Sequence, residues 1–403
     1  MKVCDVTQFY APRSGGVKRY IHAKIKHIQS HRGGDEHILI VPGDVTRRCV
    51  NERSRVYGIH SPPVSRSTGY RALLDLRAVG EIIEQERPEV VESADPYQLG
   101  WHVAAVSRAQ RIPAVAFYHS DFADAYLRPT AERLGSGATS LLMQAAQNYT
   151  RRLYNQFEVT LVSSEELASK LRGWGVRDVR VVPLGVDTDV FNPGVRDGAA
   201  VRQANNIPLS IKLLIYVGRL ASEKNTSTLL GAFGALAERR PGRFHLLVVG
   251  DGQDRTRVTE LQRTTAAVTW LPYCEDASQL AQLYRAADLF VHPGTQETFG
   301  LVALESQASG TPVVGIKGSA MDHLILHDQT AWADRNSPGA LADAIERTAA
   351  LDTEVMGATS AAQVRELYSW RRVFEHLFGI YAEVQARYSN AQLHERPHAI
   401  HHS

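Results

Sequence analysis

Short apolar runs alternate with amphipathic stretches along most of this chain, in two successive sets. Strand-like runs lie at 3–8, 37–42, 89–92, 114–118 and 159–163, and again at 212–218, 245–250, 268–271, 289–292 and 312–315. Helical periodicity fills the intervals, for instance at 70–86, 225–238, 280–287 and 339–349. Short apolar runs bounded by turn residues fit strands buried on both faces, and repeated strand–helix alternation builds parallel sheets covered by helices. A chain of 403 residues exceeds one ordinary core, so two domains of roughly 200 residues or somewhat less are expected. The change of set falls at 182–193, where Pro183, Gly185 and Pro193, with Gly194 beside them, read as an interdomain linker. The expected fold is therefore α/β, with two Rossmann-like, doubly wound domains facing each other across a cleft. The predicted bounds are 1–185 and 186–371, with helix 372–390 crossing back onto the first domain and a polar tail at 391–403. Ligands of such sheets sit at the C-terminal ends of the strands.

Composition excludes several classes. Apolar content of 44% and charged content of 22% are ordinary for a soluble globular protein. A formal net charge of +2 gives no reason to expect nucleic acid as a partner. Cys4, Cys49 and Cys274 form neither a metal-like spacing nor a disulfide framework, so a reducing cytoplasm is the expected location. Residues 1–10 alternate like a strand, with no basic-then-apolar leader, so no signal peptide is expected. No apolar run approaches the roughly 18–20 residues that a membrane span needs.

The segment from His292 to Gly315 carries the strongest chemical signal. It places two carboxylates, Glu297 and Glu305, eight positions apart around Gly300, where a strand-to-loop segment turns into a helix. A helix start offers free backbone N–H groups and a positive dipole end, which suit a phosphate. One carboxylate precedes that start and the other lies more than a turn inside it. A ligand with hydroxyls on both sides of a diphosphate fits this layout, as a nucleotide sugar does. Arg219 and Lys224 lie five apart across the turn after another strand, where both can point at one anion. A solvated turn with Glu223 as surface partner is the alternative. Gly15 and Gly16 sit between the first strand and a helix striped by Val17, Tyr20, Ile21, Ile25 and Ile28. They suit close approach to a phosphate or simply a tight turn. His119 and Asp121 follow the strand at 114–118, where a side chain enters a ligand site; His119 would donate to a sugar hydroxyl or a developing charge and Asp121 would accept from a hydroxyl. Asp187 and Asp189 have a metal-binding form, but Asp187 reads better as a turn residue. Gly250-Asp251-Gly252 lacks the third glycine of a dinucleotide fingerprint, since Arg255 stands there.

Together these segments resemble glycosyltransferase family 4, retaining enzymes of the GT-B architecture. The resemblance rests on Gly15-Gly16, the 183–187 segment with Phe191, Gly218-Arg219 with Lys224, Gly250-Asp251-Gly252, and Glu297/Glu305 with Gly310-Thr311-Pro312. These motifs occur in the family's order across most of the chain. In such enzymes the last helix crosses back to the first domain, and 368–388 fits that crossing. The resemblance implies an acceptor-side first domain and a donor domain after it. Glu305 would hold the nucleotide ribose and Glu297 the donor-sugar hydroxyls. Arg219 and Lys224 would neutralise the departing diphosphate, aided by backbone N–H groups near Gly16, Gly300 and Leu301. His119 would contact the donor sugar near the reacting carbon. Gly15, Gly218, Thr298, Phe299 and Val302 complete the expected donor-binding set, and Arg13, Asp121 and Tyr126 the expected acceptor contacts. No cofactor or metal is expected, since the cations and helix dipole do that work. No side chain is an obvious nucleophile, so front-face displacement with retention is implied.

Substrates are less constrained. The expected reaction moves a hexose from a UDP- or GDP-linked sugar to an acceptor hydroxyl on a lipid, glycolipid, sugar or small molecule. Lys18, His22 and Lys26 share one helical face, with Arg19 beside them; this reads either as a docking surface for anionic lipid at the inner membrane face or as an ordinary solvated face. The segment 126–157, with Arg128, Arg133, Arg151 and Arg152, reads as an acceptor groove or a membrane contact. Other readings are a transferase with a soluble acceptor, a nucleotide-sugar epimerase or phosphorylase on the same scaffold, and a non-catalytic sugar-nucleotide sensor. The chain is short for a pyridoxal-type phosphorylase, and the complete cation and carboxylate set favours the transferase.

Overall fold

A computed structural model describes residues 1–10, 16–64, 69–119, 135–194, 198–295, 300–318 and 322–394. The chain divides into two compact units, Met1–Leu184 with the chain from Val373 onward, and Gly185–Arg372. The first unit runs β1 (Lys2–Val6), α1 (Gly16–His31), β2 (Glu36–Gly43), β3 (Arg47–Asn51), β4 (Ser54–His60), α2 (Leu76–Glu86) and β5 (Val90–Ser93). It continues through α3 (Gln98–Ala109), β6 (Ala114–Tyr118), α4 (Ser136–Tyr154), β7 (Val159–Val162), α5 (Glu165–Gly173) and β8 (Val179–Val181). The second unit contains α6 (Gly198–Ala204), β9 (Lys212–Val217), a 3-10 turn (Ser222–Lys224), α7 (Thr226–Arg239), β10 (Phe244–Val249), α8 (Arg255–Thr264) and β11 (Val268–Leu271). There follow α9 (Ala277–Ala286), β12 (Leu289–His292), α10 (Leu301–Ala308), β13 (Val313–Gly315), α11 (Pro338–Ala349) and α12 (Thr353–Tyr368). Helix α13 (Trp370–His394) then carries the chain back to the first unit.

Each unit is one sheet. The first has the order β3-β4-β2-β1-β5-β6-β7-β8, parallel throughout except for the antiparallel β3 edge. The second has the order β11-β10-β9-β12-β13, all parallel. Interior strands such as β6 and β10 are buried at every position, which explains their continuous apolar sequence. Polar caps set several helix starts. Asp75 accepts the Ala78 N–H at 3.0 Å, so α2 begins at Leu76 and the expected helix at 70–86 loses its first turn and a half. Asp276 and Ser337 cap α9 and α11 in the same way.

Three strands carried no readable signal. All of β3 is exposed, β4 mixes Ser54, Arg55 and His60 with its apolar residues, and β8 has three residues. The buried face of α1 also differs from the expected stripe: Lys24 and His27 are buried with Tyr20, Ile21 and Ile28, whereas Ile25 is half-exposed.

Lys24 lies fully buried at the centre of a polar cluster in the first unit. Its ammonium donates to Asp5 Oδ1 at 2.8 Å, Glu92 Oε1 at 3.1 Å and the Tyr381 hydroxyl at 2.9 Å. His37 Nε2 meets Asp5 Oδ2 at 2.6 Å, Tyr20 donates to Glu92 Oε2 at 3.2 Å, and the Tyr381 hydroxyl donates to the same Glu92 oxygen. Burial alone would raise the Asp5 carboxyl, yet Lys24 and His37 hold it well below the usual carboxylate range. Glu92 goes the other way: burial pushes it up to about 7, with Lys24 opposing and Asp5 reinforcing the rise. The cluster therefore joins β1, α1, β2, β5 and α13 through charges that must be satisfied together. Around it α13 buries Val373, Phe374, Leu377, Phe378, Tyr381 and Val384, a stripe of helical period. Removing one partner of a buried pair leaves an uncompensated charge, so Lys24→Met is expected to destabilise the first unit by about 3–5 kcal/mol. Urea unfolding followed by circular dichroism checks this, and a near-neutral substitution would mean that the carboxylates do not depend on the lysine.

Candidate active site

In both units the strand order reverses direction beside the first strand. The chain steps outward from β9 to β10 and β11, then returns to the other side of β9 for β12 and β13. Loops leaving β9 and β12 must diverge to opposite faces, which opens a crevice at their C-terminal ends. The cations and the candidate carboxylates follow these two strands.

The loop after β9 holds Gly218, Arg219 and Lys224. Its path is set by backbone contact with the loop after β10: the Gly218 N–H donates to Val249 O at 3.0 Å and the Leu220 N–H to Asp251 O at 2.9 Å. A Cβ on Gly250 would lie 2.0 Å from Gly218 O, and one on Gly252 would lie 2.2 Å from Leu220 O. The Gly-Asp-Gly sequence is thus the mark of two loops pressed together, which supplies the physical reason it is not a dinucleotide fingerprint. The Tyr216 hydroxyl donates to Arg219 O at 2.9 Å and fixes the turn from the strand side. The Arg219 side chain is 66% exposed and pairs with Glu223 at 3.3 Å. An exposed pair of this kind is worth roughly 0–1 kcal/mol, so Arg219 can exchange Glu223 for a ligand anion at little cost. Lys224 ends the 3-10 turn on the same loop.

The second half of the crevice follows β12. Gly300 sits at the N-cap of α10 with φ 58°, a left-handed conformation that glycine adopts without strain. Its carbonyl takes the Ala303 and Leu304 amides at 2.9 and 3.1 Å, so the amides of Leu301 and Val302 precede the first intrahelical bond. Glu305 is one turn further on and 5% exposed, and the Tyr284 hydroxyl donates to its Oε2 at 3.4 Å. Tyr284 is anchored in turn by Thr311, whose hydroxyl donates to Tyr284 O at 2.6 Å, and by ring contacts with Phe191 and Phe290. No local pattern singles out Tyr284, which reads simply as part of the apolar face of α9. Glu297, Thr298 and Phe299 lie outside the described residues.

In the first unit the reversal falls between β1 and β5. Gly16 opens α1 at this point; Arg13, Gly15, Asp121 and Tyr126 lie outside the described residues. His119 directly follows β6, its ring stacked on Phe117 at 4.0 Å and edge-on to Tyr20 at 5.5 Å. Burial first, and then Lys24, push its imidazole down to about 3 despite the opposing Asp5 carboxylate. His119 is therefore a neutral imidazole at physiological pH. Asp95, two residues past β5, escaped the sequence reading. It is 2% exposed, its Oδ1 accepts the Tyr97 N–H at 2.9 Å, and burial pushes its carboxyl up to about 6 against hydrogen bonds from Tyr97 and Gln8. Asp187 is a turn residue: its carbonyl accepts the Phe191 N–H at 2.8 Å and its side chain the Asp189 N–H at 3.2 Å. Among the described residues no helix is long and apolar enough to cross a membrane.

Comparison with known proteins agrees with this layout. The family described as Glycosyl transferases group 1 matches residues 198–363, and Glycosyltransferase Family 4 matches residues 14–190. A GDP-mannose-dependent alpha-(1-6)-phosphatidylinositol dimannoside mannosyltransferase of Mycobacterium tuberculosis is 32% identical over 379 residues, 92% of this chain and 93% of that one. The chain belongs to glycosyltransferase family 4. A GDP-mannose-dependent alpha-mannosyltransferase of Corynebacterium glutamicum is 29% identical over 332 residues, 81% of this chain and 74% of its own. Among solved structures, the sucrose-phosphate synthase of Thermosynechococcus elongatus superposes with a TM-score of 0.75 at 19% identity, covering 96% of this chain and all of its own. WaaG, a glycosyltransferase involved in lipopolysaccharide biosynthesis, superposes with a TM-score of 0.65 at 18% identity, covering 92% and 97%. These two likenesses establish the GT-B fold. This family 4 chain is thus a glycosyltransferase that takes its sugar from a nucleotide donor.

The neutral state of His119 has a measurable consequence. The unfolded imidazole takes up a proton near 6.5 and the folded one only near about 3, so the fold loses stability as pH falls through that window. NMR titration should show a His119 imidazole that stays neutral from pH 8 to pH 5, and His119→Gln should reduce the acid loss of melting temperature. An imidazole titrating near 6.5 would overturn the assignment.

Proposed function

We propose that this enzyme is a retaining α-mannosyltransferase that uses GDP-mannose and glycosylates an inositol-lipid glycoside. The observation that carries the reading is the 32% identity to the phosphatidylinositol dimannoside mannosyltransferase across 92% of the chain. The geometry of the second unit supports the donor half. Arg219 and Lys224 on the β9 loop, facing the same crevice as the first-turn amides of Leu301 and Val302, suit a diphosphate. Glu305, buried and aligned by Tyr284, suits the two hydroxyls of a ribose. Glu297 takes the hydroxyls of the sugar, with Gly218, Thr298, Phe299 and Gly300 shaping the donor pocket. Gly15 and Gly16 let backbone approach the phosphates, and neutral His119 donates to a sugar hydroxyl. Arg13, Asp121 and Tyr126 are assigned to the acceptor.

In the proposed reaction the acceptor hydroxyl oxygen attacks the anomeric carbon from the face the diphosphate leaves. The carbon–oxygen bond to the β-phosphate breaks as the new glycosidic bond forms, and the acceptor's proton passes to the departing phosphate oxygen. Negative charge grows on that phosphate, where Arg219, Lys224 and the α10 amides stabilise it in the transition state more than in the ground state. No metal or cofactor takes part in this scheme. A lipid acceptor would bring the enzyme to the cytoplasmic face of a membrane as a peripheral protein, with Lys18, His22 and Lys26 as its contact with anionic headgroups.

A thermal-shift panel of GDP-, UDP- and ADP-sugars tests the donor. GDP-mannose at about 100 times its dissociation constant should add about 2.7 kcal/mol of stability, and a panel without response would remove the basis of the reading. Arg219→Ala should lower kcat on the order of 100-fold or more, and Glu297→Ala should abolish transfer. An NMR spectrum of the product should show the α-anomer, and a β-linkage would reject retention.

A further inference from the structure

Asn225 directly follows Lys224 and begins the connection into α7. It holds a left-handed backbone, φ 56° and ψ 34°, and closes the 3-10 turn by donating its N–H to Ser222 O at 2.9 Å. A glycine would meet that backbone requirement with no strain, so the backbone alone does not explain an asparagine. Its carboxamide does. The Nδ2 group donates to Pro293 O at 2.7 Å and to Asn336 Oδ1 at 2.8 Å, while Oδ1 accepts the Thr228 hydroxyl at 2.8 Å. Pro293 O can only accept, so the amide has one workable orientation and both of its protons are used. Pro293 is buried and directly follows β12, at the start of the segment that leads to Glu297 and Gly300; Asn336 precedes α11, which packs on α7.

We propose that Asn225 is a positioning residue for catalysis. Its carboxamide locks the β9 loop that carries Arg219 and Lys224 to the backbone leaving β12. The cations and the backbone at Pro293 thereby keep one spacing when charge develops on the leaving diphosphate. The inference rests on the donor-site reading given under Proposed function, but the tie itself is a property of the second unit alone. Two strands that diverge at a topological reversal lead their loops apart, and among the described residues the Asn225 carboxamide joins the β9 loop to the backbone at Pro293. The residue acts through Lys224 and the β12 loop and does not touch the reacting atoms.

Asn225→Gly keeps the left-handed backbone and deletes only the ties, and Asn225→Asp keeps the shape but places a carboxylate against two acceptors, Pro293 O and Asn336 Oδ1. For the glycine variant we expect a melting temperature within a few degrees of the parent and nearly unchanged GDP affinity. Its kcat for transfer from GDP-mannose should fall at least tenfold. The aspartate variant should lose more, and Asn336→Ala, which keeps the Pro293 bond, should lose less. Hydrogen exchange of the amides at 219–224 and at Gly294 and Thr295 should quicken in the glycine variant. Parent-like kcat in that variant would overturn the proposal, as would a loss of stability and GDP affinity that accounts for the whole fall. If the parent enzyme transfers no sugar from any donor, the functional reading fails on its own. Exchange then decides for Asn225: faster exchange at both segments upholds the tie, and unchanged exchange overturns it.

Discussion

The reversal of strand order beside β9 is the constraint on which the donor half of this enzyme depends. Parallel strands send their chain out at the same edge of the sheet, and crossover helices must then pack on one face or the other. Where the direction of winding changes, two neighbouring strands release their loops to opposite faces and nothing covers the edge between them. In the second unit that edge lies between β9 and β12. The residues suited to an anion, Arg219, Lys224 and the first amides of α10, all leave from it. Their placement follows from topology, with left-handed backbone at Gly300 and Asn225 setting the local turns.

Two kinds of contact then hold the edge in shape. On one side, main chain packs on main chain where the β9 and β10 loops meet at Gly218 and Gly250, leaving no room for a single side-chain carbon. On the other side, hydrogen bonds through side chains carry the load, with Tyr284 holding Glu305 and Asn225 holding Pro293. The first kind admits no side chain at Gly250 or Gly252. The second can be tuned by single residues, and differences in rate between related enzymes of this architecture can arise there with no change of fold.

The sequence exposed the central strands because burial on both faces leaves a continuous apolar run, as in β6 and β10. It concealed β3 because an exposed edge strand has no such run, and β4 because Ser54, Arg55 and His60 interrupt its apolar residues, Arg55 being held by Glu36 and Glu86. It also misplaced the buried face of α1, since a lysine in an apolar stripe reads as solvated until its partners on β1, β5 and α13 are known. The candidate cations were legible as a pair that flanks a strand end. The adjacency of that end to β12 was not, because strand order is a long-range property that no local pattern records. Tyr284 and Asn225 were missed for the same reason: each matters through partners far along the chain.

The buried cluster around Lys24 has a consequence for the order of events during synthesis. Glu92 and the Tyr381 hydroxyl that caps it are 289 residues apart. At about 5–20 residues per second on the ribosome, the first unit waits tens of seconds for its last polar partner. Throughout that interval Lys24, Asp5 and Glu92 lack the phenol and the aromatic stripe that seal them from water. The first unit to emerge is thus the last to receive all of its residues, whereas the second is contiguous in sequence from Gly185 to Arg372.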